Sequence, residues 1–402
     1  MKRKAYVSIL LIIVMALSLL TGCGGGKRVF DDSGNITMST EYEVYGGDIT
    51  TIGCIIENNT DKTVSYSHVY EIEKLEEEEW TNLLTVGLEM SSVKELEGGK
   101  KAGFVVKTDA IEGTLADGTY RIVKQIGEKY YAAEFEIGKS EYTAETPFGM
   151  MSFDSVPADY SADKAISDGC AVLGEKEDLT ALISFVEKAT LGLPGMVRVA
   201  EYNGGEFTLS EIVYDGECYS YTVRSGGEKT EKKYPFMFTD EEAVYLSDCV
   251  SNGYLNSFPE AVKVPVFTAD KLDLSKLVPA VKELTRANLT GDFAVYGSYS
   301  PDNNRYIKVM LENSIIQEQE DKIAYLIGTP EGVKEYGSDD AEGVANQITF
   351  AEWLDDTTII VSFKTFYGIN YFETRDTSTG EVLRHSYSES YTIEDGKVTY
   401  IG

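Results

Sequence analysis

The stretch Leu115-Ala116-Asp117-Gly118-Thr119-Tyr120-Arg121-Ile122-Val123-Lys124 decides the fold of the N-terminal part of this chain. It contains an Asp-Gly turn pair and continues as a β-branched and aromatic run over Gly118–Gly127. A second run of this kind, Tyr130–Ile137, follows after a short break. Runs of such length and composition, separated by turn residues, are typical of β-strands. The stretch therefore predicts a β-hairpin.

Further strand-like runs precede this hairpin. They are Tyr42–Tyr45, Ile49–Glu57, Val64–Leu75 and Gly103–Thr108. In the second of these runs Ile52, Cys54 and Ile56 alternate with small or polar residues, as expected for a strand with one buried face. Six or seven short strands within residues 38–138 indicate a β-sandwich.

The same segment resembles the bacterial immunoglobulin-like domain that occurs in lipoproteins and other envelope proteins. The matching features are Asn58-Asn59-Thr60, Tyr70-Glu71-Ile72-Glu73-Lys74, Trp80 after a turn, and the L-x-x-G-x-Y-R-I pattern described above. The resemblance covers about a quarter of the chain and implies a sandwich with a buried Trp80 indole, not an activity. Glu76–Glu79 stands where the family has a small turn. We expect it to be a solvated hairpin tip, because calcium loops space their ligands with other residues.

The first residues of the chain have the pattern of a secretory signal peptide. Lys2-Arg3-Lys4 precedes the apolar run Ala5–Leu20, which has the length of a signal-peptide core and is short for a membrane span. The next residues, Leu20-Thr21-Gly22-Cys23, resemble a lipobox, the cleavage signature of bacterial lipoproteins.

The resemblance to lipoproteins implies a location. Residues 1–22 would be removed as a signal peptide, and Cys23 would be the lipid-attachment residue. Residues 23–37 are polar and glycine-rich, so we expect a flexible tether there. The chain is thus expected to be lipid-anchored on the extracytoplasmic face of the cell membrane, with the membrane as its first partner.

The composition limits the possible functions. The chain has 402 residues, of which 43% are hydrophobic, so it can fill the cores of two or three domains. Its 36 basic and 67 acidic residues give a formal net charge of −31. A protein this acidic is repelled by phosphate backbones, so we expect no nucleic-acid partner.

The cysteine pattern gives no metal site. Besides Cys23 the chain has Cys54, Cys170, Cys218 and Cys249, without any CxxC or Cys-His spacing, and only two histidines. Buried thiols are our first expectation, since a thiol packs as a small apolar group. A disulfide between Cys218 and Cys249 stays open as an alternative, because disulfides form outside the cytoplasm.

Beyond an expected linker at residues 139–160, the pattern changes. Apolar residues at helical spacing predict a helix over Asp178–Leu191, which Gly192 ends. Three strands follow at Met196–Tyr202, Glu206–Tyr214 and Glu217–Arg224, joined by glycine-containing turns. Thr239-Asp240-Glu241-Glu242 has the capping-box pattern of a second helix. Residues 161–288 are therefore expected to form an α+β domain.

Residues 289–402 return to strand-like runs. The expected hairpins are Phe293–Ser300 with Arg305–Glu312, Gln347–Trp353 with Thr357–Phe363, and Tyr371–Asp376 with Glu381–Tyr387. Their turns look like those of propeller-type repeats, but the segment is too short for four four-stranded blades. The overall prediction is a β-rich multidomain protein. An immunoglobulin-like β-sandwich is followed by an α+β domain and a C-terminal antiparallel β domain.

The order of Arg198, Tyr202 and Tyr214-Asp215-Gly216 resembles that of an uncharacterised lipoprotein domain, which implies no function. The sequence has no nucleophile elbow and no phosphate-binding loop, and both histidines lie in strand-like runs. We therefore expect no cofactor and no enzymatic activity.

The resulting hypothesis is a non-catalytic binding or scaffolding role at the cell surface, with an envelope glycan or protein as partner. Two alternatives stay open. One is a cell-wall or polysaccharide hydrolase that uses paired carboxylates, which leave no short motif. The other is an extracytoplasmic sensor or regulator of a membrane partner.

Overall fold

The computed structural model describes residues 28–401 except for short gaps. The gaps are residues 87–93, 109–110, 112–113, 175, 205, 217, 226, 241, 256–257, 259–260, 289–292, 312–323, 331, 338–344, 366–369, 389 and 395–396. The predicted signal peptide, Cys23 and residues 24–27 of the predicted tether lie outside the described residues. The rest of the predicted tether is not flexible coil, because the Asp31 amide donates to the Tyr130 carbonyl at 3.0 Å and the Arg28 guanidinium pairs with Glu71 and Glu73. Within the described part, no helix is both long and apolar enough to cross a membrane.

The described chain up to residue 138 consists of strands. They are β1 (Ile36–Thr40), β2 (Val44–Tyr45), β3 (Thr51–Asn58), β4 (Val64–Tyr66), β5 (Tyr70–Glu76), β6 (Glu79–Val86), β7 (Lys94–Leu96), β8 (Lys101–Lys107), β9 (Gly118–Ile126) and β10 (Lys129–Ile137). One sheet has the order β1-β3-β8. The other has the order β2-β10-β9-β4-β7, and in it β5 pairs with β9 and β6. The predicted strand Val64–Leu75 is two strands, because the Val69 amide donates to the Ser67 hydroxyl at 3.2 Å and the chain turns there.

The hairpin predicted from Leu115–Lys124 is present as β9 and β10, which pair antiparallel along their full lengths. Tyr120 is buried in it and stacks on Phe135, with ring centroids 5.6 Å apart. The Tyr120 hydroxyl donates to the main-chain carbonyl of Ala116 at 2.7 Å. A tyrosine that bonds to the backbone a few residues upstream is a feature of immunoglobulin-type sandwiches.

The turn between β5 and β6 consists of Glu77 and Glu78, whose φ angles are 47° and 70°. Both residues are exposed, in agreement with the predicted solvated tip. Positive φ at both central residues is the conformation of a type I′ turn, which favours Asn-Gly. The two glutamates therefore hold a conformation that L-residues other than asparagine and aspartate rarely adopt.

Trp80 is not buried as the family resemblance implied. It lies on β6, which among the described strands pairs with β5 alone, and its side chain is partly exposed. The Arg121 guanidinium lies 4.1 Å from the Trp80 ring centroid and pairs with the buried Glu73 carboxylate, with Nε to Oε2 at 2.7 Å. The indole thus covers an ion pair on the sheet surface instead of filling the core.

The Cα positions divide the chain into two compact units. The first contains the described part of Met1–Glu43 together with Ile56–Lys101 and Ala116–Ile137. The second contains Val44–Ile55, Ala102–Leu115 and Gly138–Gly402.

The second unit, after residue 138, mixes helices with strands. Its first elements are a 3-10 helix (Phe153–Ser155), α1 (Ala162–Ser167), β11 (Ala171–Gly174), α2 (Thr180–Thr190), β12 (Gly195–Asn203), β13 (Glu206–Tyr214), β14 (Tyr219–Ser225) and β15 (Glu228–Tyr234). Next come β16 (Phe236–Thr239), β17 (Ala243–Ser247), α3 (Asn252–Leu255), β18 (Lys263–Thr268), a 3-10 helix (Leu274–Lys276) and α4 (Val278–Asn288). The last strands are β19 (Phe293–Tyr299), β20 (Tyr306–Leu311), β21 (Ala324–Thr329), β22 (Gly332–Gly337), β23 (Ala345–Trp353), β24 (Thr358–Thr365), β25 (Asn370–Asp376), β26 (Val382–Ser388), β27 (Ser390–Glu394) and β28 (Lys397–Ile401).

Strands β11 to β15 form a five-stranded sheet in chain order, in which β11 is parallel to β12 and the other neighbours are antiparallel. Helix α2 agrees with the helix predicted over Asp178–Leu191. Its buried residues Leu182, Phe185 and Val186 share one hydrophobic cluster with Val197 of β12. This face is buried because apolar residues three and four apart lie on one side of a helix.

The helix predicted from Thr239-Asp240-Glu241-Glu242 is wrong. Asp240 lies in the turn between β16 and β17, and its Oδ1 accepts the amides of Glu242 at 2.9 Å and Ala243 at 3.1 Å. Such an Asx turn uses the same residue types as a helix cap. All five residues of β17 are buried, as expected for a strand that is covered on both faces, and the segment forms a strand instead of a helix.

Part of the expected linker is core. Phe153, Val156 and Tyr160 are buried and cluster with Cys170 and Leu209. The segment before α1 therefore packs on the five-stranded sheet instead of connecting two bodies freely.

The C-terminal strands form antiparallel sheets of order β19-β20-β21-β22, β23-β24-β25-β26 and β27-β28, while β16-β17-β18 is a separate three-stranded sheet. One hydrophobic cluster joins Val295, Tyr325 and Phe363 of these strands to Phe236 and Cys249. The expected boundary at residue 288 is therefore crossed by a shared core.

Candidate functional site

A cavity of about 540 Å³ lies within the second unit. It is formed by the segment before α1, the residues that end α1, helix α2 and strand β12. Its lining residues are Glu141, Tyr142, Phe148, Gly149, Met150, Met151, Ser167, Asp168, Gly169, Ala181, Ser184, Phe185, Lys188, Met196 and Arg198. Small-molecule sites occupy concave spaces of this size, and the lining of this one combines charged and polar side chains with apolar ones. The cavity is therefore the candidate functional site.

The apolar part of the lining is rich in methionine. It consists of Phe148, Met150, Met151, Phe185 and Met196. Met151 is 43% exposed, which is high for a large apolar side chain. Methionine is flexible and polarisable, so a methionine wall adapts to apolar groups of different shape. This part of the cavity is suited to the apolar body of a ligand.

Of the charged residues that line the cavity, Arg198 is the most buried, with only 2% of its surface exposed. It faces Glu211 across the β12–β13 ladder. Its Nε and Nη2 both donate to Oε2 of Glu211, the former at 2.9 Å, and Nη2 also donates to the Met151 carbonyl at 2.9 Å. A buried charge is costly unless it is paired and hydrogen-bonded. These contacts fix the guanidinium and tie the methionine wall to the sheet.

Phe153 anchors the same segment. The cationic groups of Arg198, Arg224 and Lys229 lie 5.7, 5.4 and 5.5 Å from the Phe153 ring centroid. Cations at this distance are attracted by the ring face. Arg224 also donates to the Val156 carbonyl at 2.8 Å. The wall of the cavity is thus held from both ends by cations of the sheet.

Asp168 follows α1 and carries a negative charge into the cavity. Its carboxylate accepts hydrogen bonds from the Lys164 ammonium and from the Tyr160 hydroxyl, the latter at 2.8 Å. The bond from Lys164 lowers the pKa of Asp168 below its ordinary value of 3.8, although burial acts in the opposite direction. Burial, followed by the bond to Asp168, raises the pKa of Tyr160. At neutral pH Asp168 is therefore an ionised acceptor and Tyr160 a protonated donor.

The rim of the cavity carries Glu141 and Ser184, both exposed, and Lys188, which is half-buried. Across the described residues, no group of three or more His, Cys, Asp or Glu side chains is placed to hold a metal ion. The geometry offers charged, hydrogen-bonding and apolar groups to a ligand.

The predicted site residues lie elsewhere. Cys23 is outside the described residues. Cys54, Cys170, Cys218 and Cys249 are buried thiols and none forms a disulfide, so the alternative Cys218–Cys249 bridge is not present. Burial raises the pKa of Cys218 to about 11 and that of Cys249 to about 12, so both thiols are protonated and packed as apolar groups.

The N-terminal strands identify their family. The two sheets and the Tyr120–Ala116 bond have the features of an immunoglobulin-type sandwich. Residues 32–136 match the family model of the bacterial Ig-like domain. The match supports the resemblance inferred from the L-x-x-G-x-Y-R-I pattern.

Comparisons with whole proteins add little. No curated protein matches the chain. Solved structures with similar parts include an alkylpurine DNA glycosylase from Pseudomonas fluorescens bound to DNA, with 14% identity over 31% of this chain and 34% of that chain, TM-score 0.20. A β-glucosidase from Erythrobacter marinus has 12% identity over 25% and 15%, TM-score 0.19. A superoxide reductase from Ignicoccus hospitalis has 16% identity over 25% and 77%, TM-score 0.17. The chain thus spans about a third of the glycosylase, and such scores do not establish a shared fold or activity.

Sequence reasoning missed the cavity. Arg198 and Tyr202 were singled out only by their order along the chain, and both hold the segment before α1, since the Tyr202 hydroxyl donates to the Tyr160 carbonyl at 2.8 Å. One signal was available. An arginine between Val197 and Val199 in a strand needs a buried partner.

Proposed function

We propose that this chain is a non-catalytic binding or scaffolding protein, anchored by lipid at Cys23 on the extracytoplasmic face of the cell membrane. The observation that carries the proposal is the Ig-like domain match at residues 32–136, which begins a short distance after the lipobox-like stretch that ends at Cys23. Ig-like sandwiches present surfaces for binding, and the glycine-rich residues that follow Cys23 would link such a domain to the lipid.

The cavity supports binding over turnover. Arg198 is held by Glu211, and Asp168 is held by Lys164 and Tyr160. A general acid needs a pKa near the working pH, whereas the pKa of Asp168 is lowered. A carboxylate that stays ionised can orient a ligand through hydrogen bonds and does not serve as a general acid at neutral pH.

The partners follow from charge and location. Loss of Lys2, Arg3 and Lys4 with the signal peptide makes the net charge of −31 more negative by three. Nucleic acid is therefore disfavoured, and an envelope glycan or protein is the proposed macromolecular partner.

The anchor is tested with Cys23→Ala in the native host. Metabolic labelling with an alkyne fatty acid should label the wild-type protein and not the variant, and the variant should be uncleaved or released from the membrane fraction. Cys218→Ser is the matched control, because it removes a buried thiol and leaves the lipobox intact. Normal processing and membrane retention of Cys23→Ala would contradict the proposed location.

A second candidate function is a cell-wall or polysaccharide hydrolase. It is favoured by one observation: Glu141 and Asp168 both line the cavity. Most glycosidases use two carboxylates that lie on either side of the scissile bond of the bound sugar. Zymography on cell-wall material decides the matter. A clearing band that is lost in Glu141→Gln or Asp168→Asn, and kept in Asp154→Asn, would establish the hydrolase and overturn the non-catalytic proposal.

A further inference from the structure

Residues 28–31 form a strap across β5, β9 and β10 of the Ig-like domain. At one end the Arg28 guanidinium pairs with Glu73 of β5 at 2.8 Å. At the other end the Asp31 carboxylate accepts a hydrogen bond from the Lys129 ammonium of β10, also at 2.8 Å. The chain is therefore fixed to this face of the sheet from the first residue that the structure describes.

Two aromatic rings lie close together on the strapped face. The Arg121 guanidinium lies 4.5 Å from the ring centroid of Phe30, which belongs to the strap, and 4.1 Å from that of Trp80. Trp80 is partly exposed, and Val29 of the strap is 78% exposed. Tryptophan is enriched at membrane–water interfaces, because its ring is apolar and its N–H is polar. The strap and Trp80 thus present aromatic and apolar surface together.

The strap begins a short distance from the proposed lipid. Arg28 is five residues after Cys23, and a chain of that length spans about 12 Å as a coil and at most about 18 Å when extended. A small domain is about 30 Å across. No other domain therefore fits between the strapped face and a bilayer that holds the Cys23 lipid.

We propose that the strap turns this face of the Ig-like domain toward the bilayer, with Trp80 and Val29 at the phospholipid headgroups. The proposal rests on the proposed lipid anchor at Cys23 and adds the orientation of the domain that follows it. The occupant of the face is the headgroup layer of the membrane that carries the anchor.

The length of the link, and not charge, holds this face at the lipid. The net charge of −31 gives the chain no attraction to anionic lipids. The charges of the strap are paired within the protein, Arg28 with Glu71 and Glu73, and Asp31 with Lys129. We therefore expect the contact also in a bilayer of phosphatidylcholine, which has no net charge.

The contact is measured by the quenching of Trp80 fluorescence. The chain has two tryptophans, so Trp353→Phe leaves Trp80 as the only one. The full-length mature protein, purified from its native host, is placed in phosphatidylcholine nanodiscs with or without phosphatidylcholine that carries a nitroxide on its headgroup. The lipid on Cys23 is verified by mass spectrometry before the measurement.

A tryptophan on the other sheet of the sandwich is the positional control. Lys101→Trp, made together with Trp80→Phe and Trp353→Phe, replaces an exposed residue of β8. The two sheets of a sandwich lie about 10 Å apart, so we expect Trp80 to be quenched at least about twofold more than this control.

Two further variants, both in the Trp353→Phe background, change the link. Inserting about ten glycine and serine residues between Gly26 and Lys27 keeps the strap and extends the reach to at most about 50 Å. It should lower the quenching of Trp80 to the level of the positional control. Because the insertion leaves every contact of the strap in place, a loss of quenching cannot result from misfolding of the face.

The second variant, Arg28→Gln/Asp31→Asn, releases the strap. Glu73 keeps its ion pair with Arg121, so no buried charge is left alone. The chain is then first bound at Gly34, whose carbonyl accepts from the Asn59 side chain, and the link of eleven residues spans at most about 40 Å. Quenching of Trp80 should fall here as well.

The matched control for this variant is Lys176→Gln/Asp163→Asn. It removes an exposed ion pair outside the Ig-like domain and should leave the quenching of Trp80 unchanged. A fall in this control equal to that in the released strap would contradict the proposed role of the strap.

The outcomes separate the orientation from the anchor. A lipid on Cys23 together with equal quenching of Trp80 and the positional control would overturn the orientation and leave the proposed location intact. Quenching that survives the insertion would overturn the claim that the short link holds the face at the bilayer. A Cys23 without lipid would refute the proposed anchor and the orientation with it.

Discussion

Replacing Asp248 by asparagine should stabilise the protein at neutral pH. Asp248 follows β17 and is only 6% exposed. Its carboxylate accepts a hydrogen bond from the Val262 amide at 2.9 Å. Burial raises the pKa of Asp248 to about 6 from an ordinary 3.8, although the bond from Val262 and the charge of Lys232 act to lower it. The folded protein therefore favours the protonated form of this side chain.

The sign and size of the effect follow from this pKa. Because the pKa of Asp248 is higher in the folded than in the unfolded protein, protonated Asp248 contributes to the free energy of unfolding. This contribution is complete below about pH 4 and is lost as the pH rises through about 6. Because one pKa unit corresponds to about 1.4 kcal/mol, ionised Asp248 costs about 3 kcal/mol above about pH 7. Asparagine has the same shape, can accept the Val262 bond and never ionises. Asp248→Asn should therefore gain about 3 kcal/mol at neutral pH and almost nothing near pH 4.

Urea unfolding of the full chain at several pH values between about 4 and 8 measures this difference. Asp302→Asn is the control of opposite sign. The pKa of Asp302 is lowered to about 2, first by the Ser300 hydroxyl, so its ionised form stabilises the fold above its ordinary pKa and the variant should be less stable at neutral pH. A gain for Asp248→Asn that is the same at all pH values, or no gain at neutral pH, would refute the reasoning.

Three further substitutions test the fold. Glu77→Asn/Glu78→Gly suits the positive φ angles of this turn and should stabilise the Ig-like domain by about 1–2 kcal/mol in urea unfolding; no gain would contradict the turn assignment. Tyr120→Phe loses the bond to the main chain and should cost about 1 kcal/mol, whereas a neutral result would show that the bond does not form. Gly103→Ala places a Cβ 2.5 Å from the Leu191 carbonyl oxygen and should cost about 1–3 kcal/mol; an unchanged melting temperature would contradict that close approach.

Local patterns in the sequence predicted the parts of the fold that local interactions determine. The alternation around Ile52 and the turn before Tyr120 predicted strands that the structure contains, since side chains on a strand point alternately to the two faces. The helix over Asp178–Leu191 was equally readable from its apolar spacing. The match of residues 32–136 to the bacterial Ig-like domain supports the predicted N-terminal sandwich.

The errors arose where one local pattern fits two structures. Thr239 and Asp240 can cap a helix or close a hairpin, and only the burial of β17 on both faces decides between them. Trp80 was placed by family resemblance, but its surroundings depend on Arg121, which lies on another strand.

The cavity could not be read from the sequence because its geometry is long-range. Arg198 is bonded to the carbonyl of Met151, 47 residues earlier in the chain. Nothing in the composition of the intervening segment indicates that contact. What the sequence does show is an arginine in an apolar strand, which signals that a partner exists without saying which one.

The proposed lipid anchor is tested most directly by mass spectrometry of the N-terminal peptide of the protein purified from its native host. The account predicts that this peptide begins at Cys23 and carries a diacylglycerol group on the Cys23 sulfur. A peptide that begins before Cys23, or a Cys23 without lipid, would contradict it.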